Sequence, residues 1–229
     1  MTDLIFRESV HSCGEEMLKI ITRILILSGS LLFHSAVAAV DSCGWPDSDA
    51  LQAVLPVAAE DGSYASGVVV AQNRVLTAAH AITPGTRVFV GIQDVFRTAR
   101  VLLIDAETDL AVLSVDTGSI RPLRIATQDP RISEQVWAVG FPRAKAKTTS
   151  VGVFQKKMRG ALHTSAPIDS GQSGGGLLSC EEGSYKLAGM LRGYGAYYKG
   201  GQYVKLENHS VSVAAATIQN FVLQQTAIY

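Results

Sequence analysis

Gly171-Gln172-Ser173-Gly174-Gly175 sets a serine between glycines on both sides. A nucleophile in a tight turn needs that setting, because the backbone must bend sharply and leave peptide N–H groups pointing into a cleft. Earlier in the chain stand Thr108-Asp109-Leu110-Ala111-Val112-Leu113 and, before that, Thr77-Ala78-Ala79-His80. Together the three segments suggest a histidine, an aspartate and a serine acting as one unit, in that chain order. Order discriminates between folds, since unrelated architectures reach the same geometry with different orders.

Around these segments the chain is built from short β-rich runs separated by turn residues. Gly67 to Ala71 and Arg74 to Thr77 flank Gln72-Asn73 as a hairpin, and Arg87 to Val90, Val95 to Ile104 and Leu110 to Val115 continue the pattern. Their content of Val, Ile, Leu and Phe suits half-buried pleated surfaces. Gly118 to Pro130 holds two prolines and little periodicity, which marks a linker. A second β-rich unit follows in Gln135 to Phe141, Ser150 to Lys157, Ala161 to Thr164, Gly176 to Leu178, Lys186 to Arg192 and Gln202 to Leu206. After Ser210 or Ser212 as N-cap, Val211, Val213, Ala214, Ala216, Ile218, Phe221, Val222 and Leu223 recur at helical spacing. The expected architecture is all-β: two six-stranded antiparallel barrels, about 50–117 and 130–209, with the active-site cleft between them and a C-terminal α-helix over about 211–225.

Composition is that of a globular chain: 229 residues, 47% hydrophobic and 17% charged, with 20 basic and 20 acidic side chains. The even balance supplies no basic field for nucleic acid. Lys19 and Arg23 precede the apolar run Ile24 to Phe33, and Ala36-Val37-Ala38-Ala39 offers small residues for cleavage. Residues 1–39 therefore read as a leader with a signal peptide, with Met17 as the expected true start and 40–229 as the mature domain. The run is shorter than a membrane span requires, so stable membrane insertion after cleavage is not expected. Export to the periplasm or outside the cell removes Cys13 and leaves Cys43 and Cys180 as a disulfide candidate for an oxidising compartment, with two unpaired buried thiols as the alternative.

At these motifs the chain resembles the trypsin-like serine proteases of the chymotrypsin fold, and within them the bacterial HtrA/Deg branch without a PDZ module. Gly171, Ser173 and Gly175 also fit the nucleophile elbow of α/β-hydrolases. That architecture places an acid and then a histidine after the serine, but no aspartate follows Ser173, and the later histidine, His209, stands two positions from Glu207. The resemblance implies a serine endopeptidase acting on protein or peptide substrates through an acyl-enzyme on Ser173. His80 would be the general base, because imidazole exchanges protons near neutrality. His11 and His34 fall in the leader, and His163 and His209 read as strand or surface residues. Asp109 would orient His80 and stabilise its protonated form; Asp105 and Glu107 are nearby rivals, and the Thr-Asp-Leu-Ala-Val-Leu run matches the family's acid-bearing segment. The N–H groups of Gly171 and Ser173 would form the oxyanion hole.

By the same resemblance, Ala166 to Asp169 and Gly189 to Arg192 would wall the substrate pocket. Ile168, Asp169, Gly189, Met190, Leu191 and Arg192 are the candidates, with small or medium aliphatic side chains as the expected preference before the cut bond. Gln172 stands where digestive members carry an aspartate that pairs with a freed N-terminus, so activity independent of such cleavage is expected. No HExxH arrangement, cysteine pair at ligand spacing or phosphate-cradling loop is present, so neither metal nor cofactor is expected. Two alternatives remain: a protease-fold binding or scaffold protein with weak or no turnover, and an esterase.

Overall fold

The computed structural model describes the backbone of residues 43–226 and the side chains of 43–223. The leader expected over 1–39, with Cys13 and Met17, lies outside the described residues. A short helix α1 (Ser48–Gln52), capped by the Asp47 carboxylate accepting from the Ala50 N–H at 2.8 Å, leads into the first strand. Six strands follow: β1 (Val54–Ala59), β2 (Tyr64–Ala71), β3 (Arg74–Ala78), β4 (Val88–Ile92), β5 (Val95–Asp105) and β6 (Leu110–Ser114). They close in the order β1-β2-β3-β6-β5-β4, every pair antiparallel. Closure leaves no unpaired edge for other chains to add to.

The second unit repeats the plan with β7 (Gln135–Gly140), β8 (Thr148–Met158), β9 (Ala161–Thr164), β10 (Gly176–Glu181), β11 (Ser184–Lys199) and β12 (Gln202–Ala214), closed as β10-β11-β12-β9-β8-β7. The expected all-β fold of two six-stranded barrels and a terminal helix is the fold found. Between β6 and β7 the chain forms no strand, with one bridge from Ile125 to Leu187 tying it to the second barrel. A single apolar cluster runs from Val54, Val68, Leu76 and Leu113 in the first barrel to Trp137, Val139, Leu178 and Met190 in the second. Burying that shared surface, at about 25 cal/mol per Å², fixes the barrels against each other. It also explains why β3 and β6 are buried along nearly their whole length instead of alternating.

The largest differences from the sequence reading lie in the last third of the chain. Helix α2 begins at Ala215 and runs to Thr226, because residues 211–214 continue β12 and pair with β9 (Val211 with His163, Val213 with Ala161). Ser210 and Ser212 are accordingly buried strand residues and not caps. Residues 193–199 are the β11 arm, and Gly200-Gly201 the turn, of a long two-stranded ribbon in which Tyr198 and Tyr203 meet edge to face at 5.3 Å. Cys43 is joined to Cys180 across 5.6 Å between Cα atoms, linking the lead-in of the first barrel to a strand of the second.

Candidate active site

Strand register brings the histidine and aspartate together. β3 pairs with β6 so that Ala78 faces Leu110, which sets His80, just past the end of β3, beside Asp109, just before β6. Three contacts lock the turn: the Ala79 N–H donates to the Asp109 carbonyl at 3.1 Å, the His80 N–H donates to Asp109 Oδ1 at 3.0 Å, and His80 Nδ1 lies 2.9 Å from both carboxylate oxygens. Asp109 sits at φ +62°, a left-handed conformation that aspartate tolerates better than most side chains, and is only 4% exposed. Burial pushes its carboxyl up. The hydrogen bonds from the His80 ring and N–H, with the positive charges at His80 and Arg192, outweigh burial and hold it below the usual carboxylate range. Of the rival carboxylates, Asp105 is spent on its own turn, accepting from the Glu107 N–H at 2.9 Å and the Thr108 hydroxyl at 2.7 Å, while Glu107 is exposed.

Ser173 occupies the loop between β9 and β10. Its carbonyl accepts from the Ser66 N–H at 2.8 Å, and the Gly174 N–H donates to the Leu191 carbonyl at 2.7 Å, so the turn is pinned to both barrels. Gly174, at φ +84°, could carry no side chain: a Cβ there would lie 2.1 Å from the Ser66 carbonyl oxygen. Gly171 is held on the other side, its carbonyl accepting from the Ser66 hydroxyl at 2.9 Å while the Arg143 N–H donates to the Ser170 carbonyl at 2.7 Å. The N–H groups of Gly171 and Ser173 have no protein acceptor among the described residues. Gln172 is buried, its Oε1 accepting from the Asp169 N–H at 2.7 Å. The position that would pair with a freed N-terminus is thus bonded within its own loop.

His80 and Ser173 line one cleft of about 420 Å³ with Ser63, Tyr64, Gly171 and Tyr194. Within it the Ser173 hydroxyl donates to the Arg192 carbonyl at 3.2 Å, its one hydrogen-bond partner among the described residues. The bond from Ser173 to His80 is therefore not made here; in a free site such bonds are often long or absent and tighten only when substrate is present.

The six residues expected to wall the pocket differ in their surroundings. Ile168, Met190 and Leu191 are packed inside the barrels, and a Cβ on Gly189 would meet the Val213 carbonyl oxygen at 2.7 Å. Asp169 is ion-paired with Arg143 at 2.6 Å and approached by Lys205 at 3.8 Å. Arg192 does line the cleft, but its Nε is 3.2 Å from Asp109 Oδ2. Ile168, Met190 and Leu191, on which the expectation of an aliphatic preference stands, are buried members of the apolar clusters. Of the two tyrosines that face the cleft, Tyr194 lies in the tract Gly193 to Gly201, which reads from the sequence as either a substrate-lining loop or a surface hairpin, while Tyr64 carries no sequence signal beyond exposed aromatic character.

A family model for the trypsin-like peptidase domain matches residues 65–190, a span that holds His80, Asp109 and Ser173. The chain belongs to the trypsin-like peptidase family. Among curated proteins, this trypsin-like domain is 33% identical over 128 residues to the serine endoprotease DegS of Salmonella typhimurium, covering 50% of this chain and 36% of that protein. It is 29% identical over 133 residues to a probable periplasmic serine endoprotease DegP-like of Chlamydia muridarum, covering 53% and 27%. The match therefore spans about a third or less of these relatives' length. Among solved structures, the serine endoprotease from Yersinia pestis superposes with a TM-score of 0.66 at 25% identity, covering 79% of this chain and 67% of that one. The HtrA-type protease AlgW with tripeptide gives 0.65 at 23% identity, a likeness of fold.

Proposed function

We propose that this trypsin-like domain is an exported serine endopeptidase, with His80, Asp109 and Ser173 as its catalytic triad. The observation that carries the reading is the buried Asp109 carboxylate gripping His80 Nδ1 at 2.9 Å, with Ser173 across the same cleft. That bond fixes the tautomer in which Nε2 is free to accept a proton. Turning the Ser173 hydroxyl from the Arg192 carbonyl toward His80 completes the relay. Ser173 Oγ then attacks the scissile carbonyl while Nε2 takes its proton, and the oxygen that becomes negative is received by the unpaired N–H groups of Gly171 and Ser173. His80 passes the proton to the leaving amine, and water releases the acyl group by the same steps in reverse. Each donor to the oxyanion stabilises the transition state by about 3 kcal/mol.

Export is supported by the leader-like sequence, by the Cys43–Cys180 bond, which persists in oxidising compartments, and by the periplasmic DegP-like relatives. Periplasm or cell exterior is thus the proposed location. A second reading, a protease-fold binding or scaffold protein, is favoured by the Ser173 hydroxyl being engaged with Arg192 and not with His80. A fluorophosphonate probe separates the two. The unsubstituted protein is expected to label, and Ser173→Ala and His80→Ala to lose labelling; a folded protein that never labels supports the scaffold. Casein cleavage alongside ester hydrolysis is the expected activity, and ester turnover without casein cleavage would make it an esterase.

A further inference from the structure

A second cavity, of about 590 Å³ and lined by none of His80, Asp109 and Ser173, lies where strands β1 and β4 of the first barrel face the segment 141–147 that follows β7. Its lining is largely apolar, with Pro56, Ile120, Phe96 and Phe141 among the residues that form it. Phe96 is 50% exposed, so one aromatic wall stands in water with nothing laid against it. The one cation of the lining is Lys147. Its ammonium donates to the Leu51 carbonyl and lies 5.4 Å from the centre of the Phe141 ring, and it makes no ion pair among the described residues. Burial pushes that ammonium below the ordinary lysine range, and no carboxylate offsets the loss of water. Asp94, the one carboxylate of the lining, is exposed to solvent and does not pair with it.

We infer that this cavity is a binding site for a free aliphatic monocarboxylate of medium chain length, its carboxylate on Lys147 Nζ and its chain along Pro56, Phe96, Ile120 and Phe141. Volume, charge and the state of the strands each select this ligand. A cavity of this size is in the range that takes small molecules. An ammonium carries three donors, so beyond the Leu51 carbonyl Lys147 retains donors for an anion, and a charge that has already lost water attracts an opposite one more strongly than an exposed charge does. With no arginine fork and no second cation in the lining, the site balances one negative charge, which suits a carboxylate better than a phosphate. A chain rather than a peptide suits the floor, because β1 is paired on both sides, by β2 and β4, and β4 by β1 and β5, which leaves no strand edge for a peptide backbone to join.

The probe is octanoate, titrated into the unsubstituted protein and followed by amide NMR. Saturable shifts are expected at Gly91, Phe96, Ile120 and Lys147, which line the cavity, and not at Tyr64, Gly171 and Tyr194, which line the cleft of the proposed triad. Octanamide, with the same chain and no charge, should bind about tenfold more weakly or worse. Each methylene removed from the acid should weaken it by about fourfold. Lys147→Met should bring octanoate down to the level of octanamide, while Phe96→Ser, at a half-exposed position, should weaken both probes alike. Octanoate and octanamide binding equally well to the unsubstituted protein, or shifts that appear only around the cleft or nowhere, would overturn the inference even where Lys147→Met fails to fold. The tripeptide acid Ala-Leu-Leu shifting the same amides at lower concentration than octanoate would overturn the free acid as occupant and give the cavity to a peptide C-terminus. Ser173 labelling enters none of these readings, so the site stands or falls apart from the endopeptidase reading.

Discussion

Asp109 carries the strongest demands of any single side chain in the site, because it is buried, left-handed in backbone and shared between His80 and Arg192. Replacing it by asparagine keeps the shape but puts an amide where a charge is needed, which allows the wrong tautomer of His80 and removes the partner of its protonated form. Labelling is expected to fall by at least about 10³-fold. Stability responds with a definite sign. A carboxyl whose folded-state value is depressed contributes stability above the ordinary carboxylate range and loses it as pH falls through the lowered value. The gap in thermal midpoint between the unsubstituted protein and Asp109→Asn should therefore be widest near neutrality and close below the carboxylate range; a gap constant with pH would show that the ionised form is not what the fold favours. The pairing of Asp109 with His80 was legible only through the likeness of its run of neighbours to the family's acid-bearing segment. The contact of Arg192 was not, since it depends on a bulge set by cross-strand register, and register leaves no mark on residues 191–193 themselves.

Elements decide whether these side chains meet, and the turn around Ser173 has the least freedom. Gly174→Ala would force a Cβ into the Ser66 carbonyl, with the Thr77 hydroxyl at 2.5 Å and the Ala78 nitrogen at 2.9 Å also in the way, all held by strand pairing. Backbone must shift to admit it, at a cost of about 2 kcal/mol or more. The expected outcome is a thermal midpoint several degrees lower and labelling lost, although no reacting atom is changed; normal labelling in Gly174→Ala would mean the turn is looser than its contacts imply. Strands were read well where β-branched residues alternate between turn signals. β1 escaped notice because Val54-Leu55-Pro56-Val57-Ala58-Ala59 carries a proline and two alanines. The fold accommodates Pro56 just before the stretch paired with β4, where no ladder bond to that strand is required of it. The end of β12 is ambiguous in sequence for a different reason: Val211 and Ala214 are spaced as on a helix face while Val211 and Val213 alternate as on a strand, and pairing to β9 decides between them.

At the scale of the whole molecule, one apolar interface sets the two barrels together and one covalent bond spans them. Cys43 precedes α1 and β1 of the first barrel, while Cys180 lies near the end of β10 in the second, at a sequence separation of 137. Closing a loop of that length removes enough freedom from the unfolded chain to stabilise the fold by about 5 kcal/mol on the chain-entropy account, and measured effects commonly fall at about 2–5 kcal/mol. Neither cysteine lines the cleft around Ser173. The double substitution Cys43→Ser/Cys180→Ser should therefore lower the free energy of urea unfolding by about 2–5 kcal/mol while native-state labelling of Ser173 stays near that of the unsubstituted protein. Limited proteolysis gives the spatial half of the result: with the bond gone, cleavage should first appear in residues 43–53, which α1 holds with one capped turn and the buried Ala50. Equal unfolding energies with and without the cysteines would mean that the barrel interface alone holds the two halves, and labelling lost at unchanged stability would mean that the bond shapes the site itself.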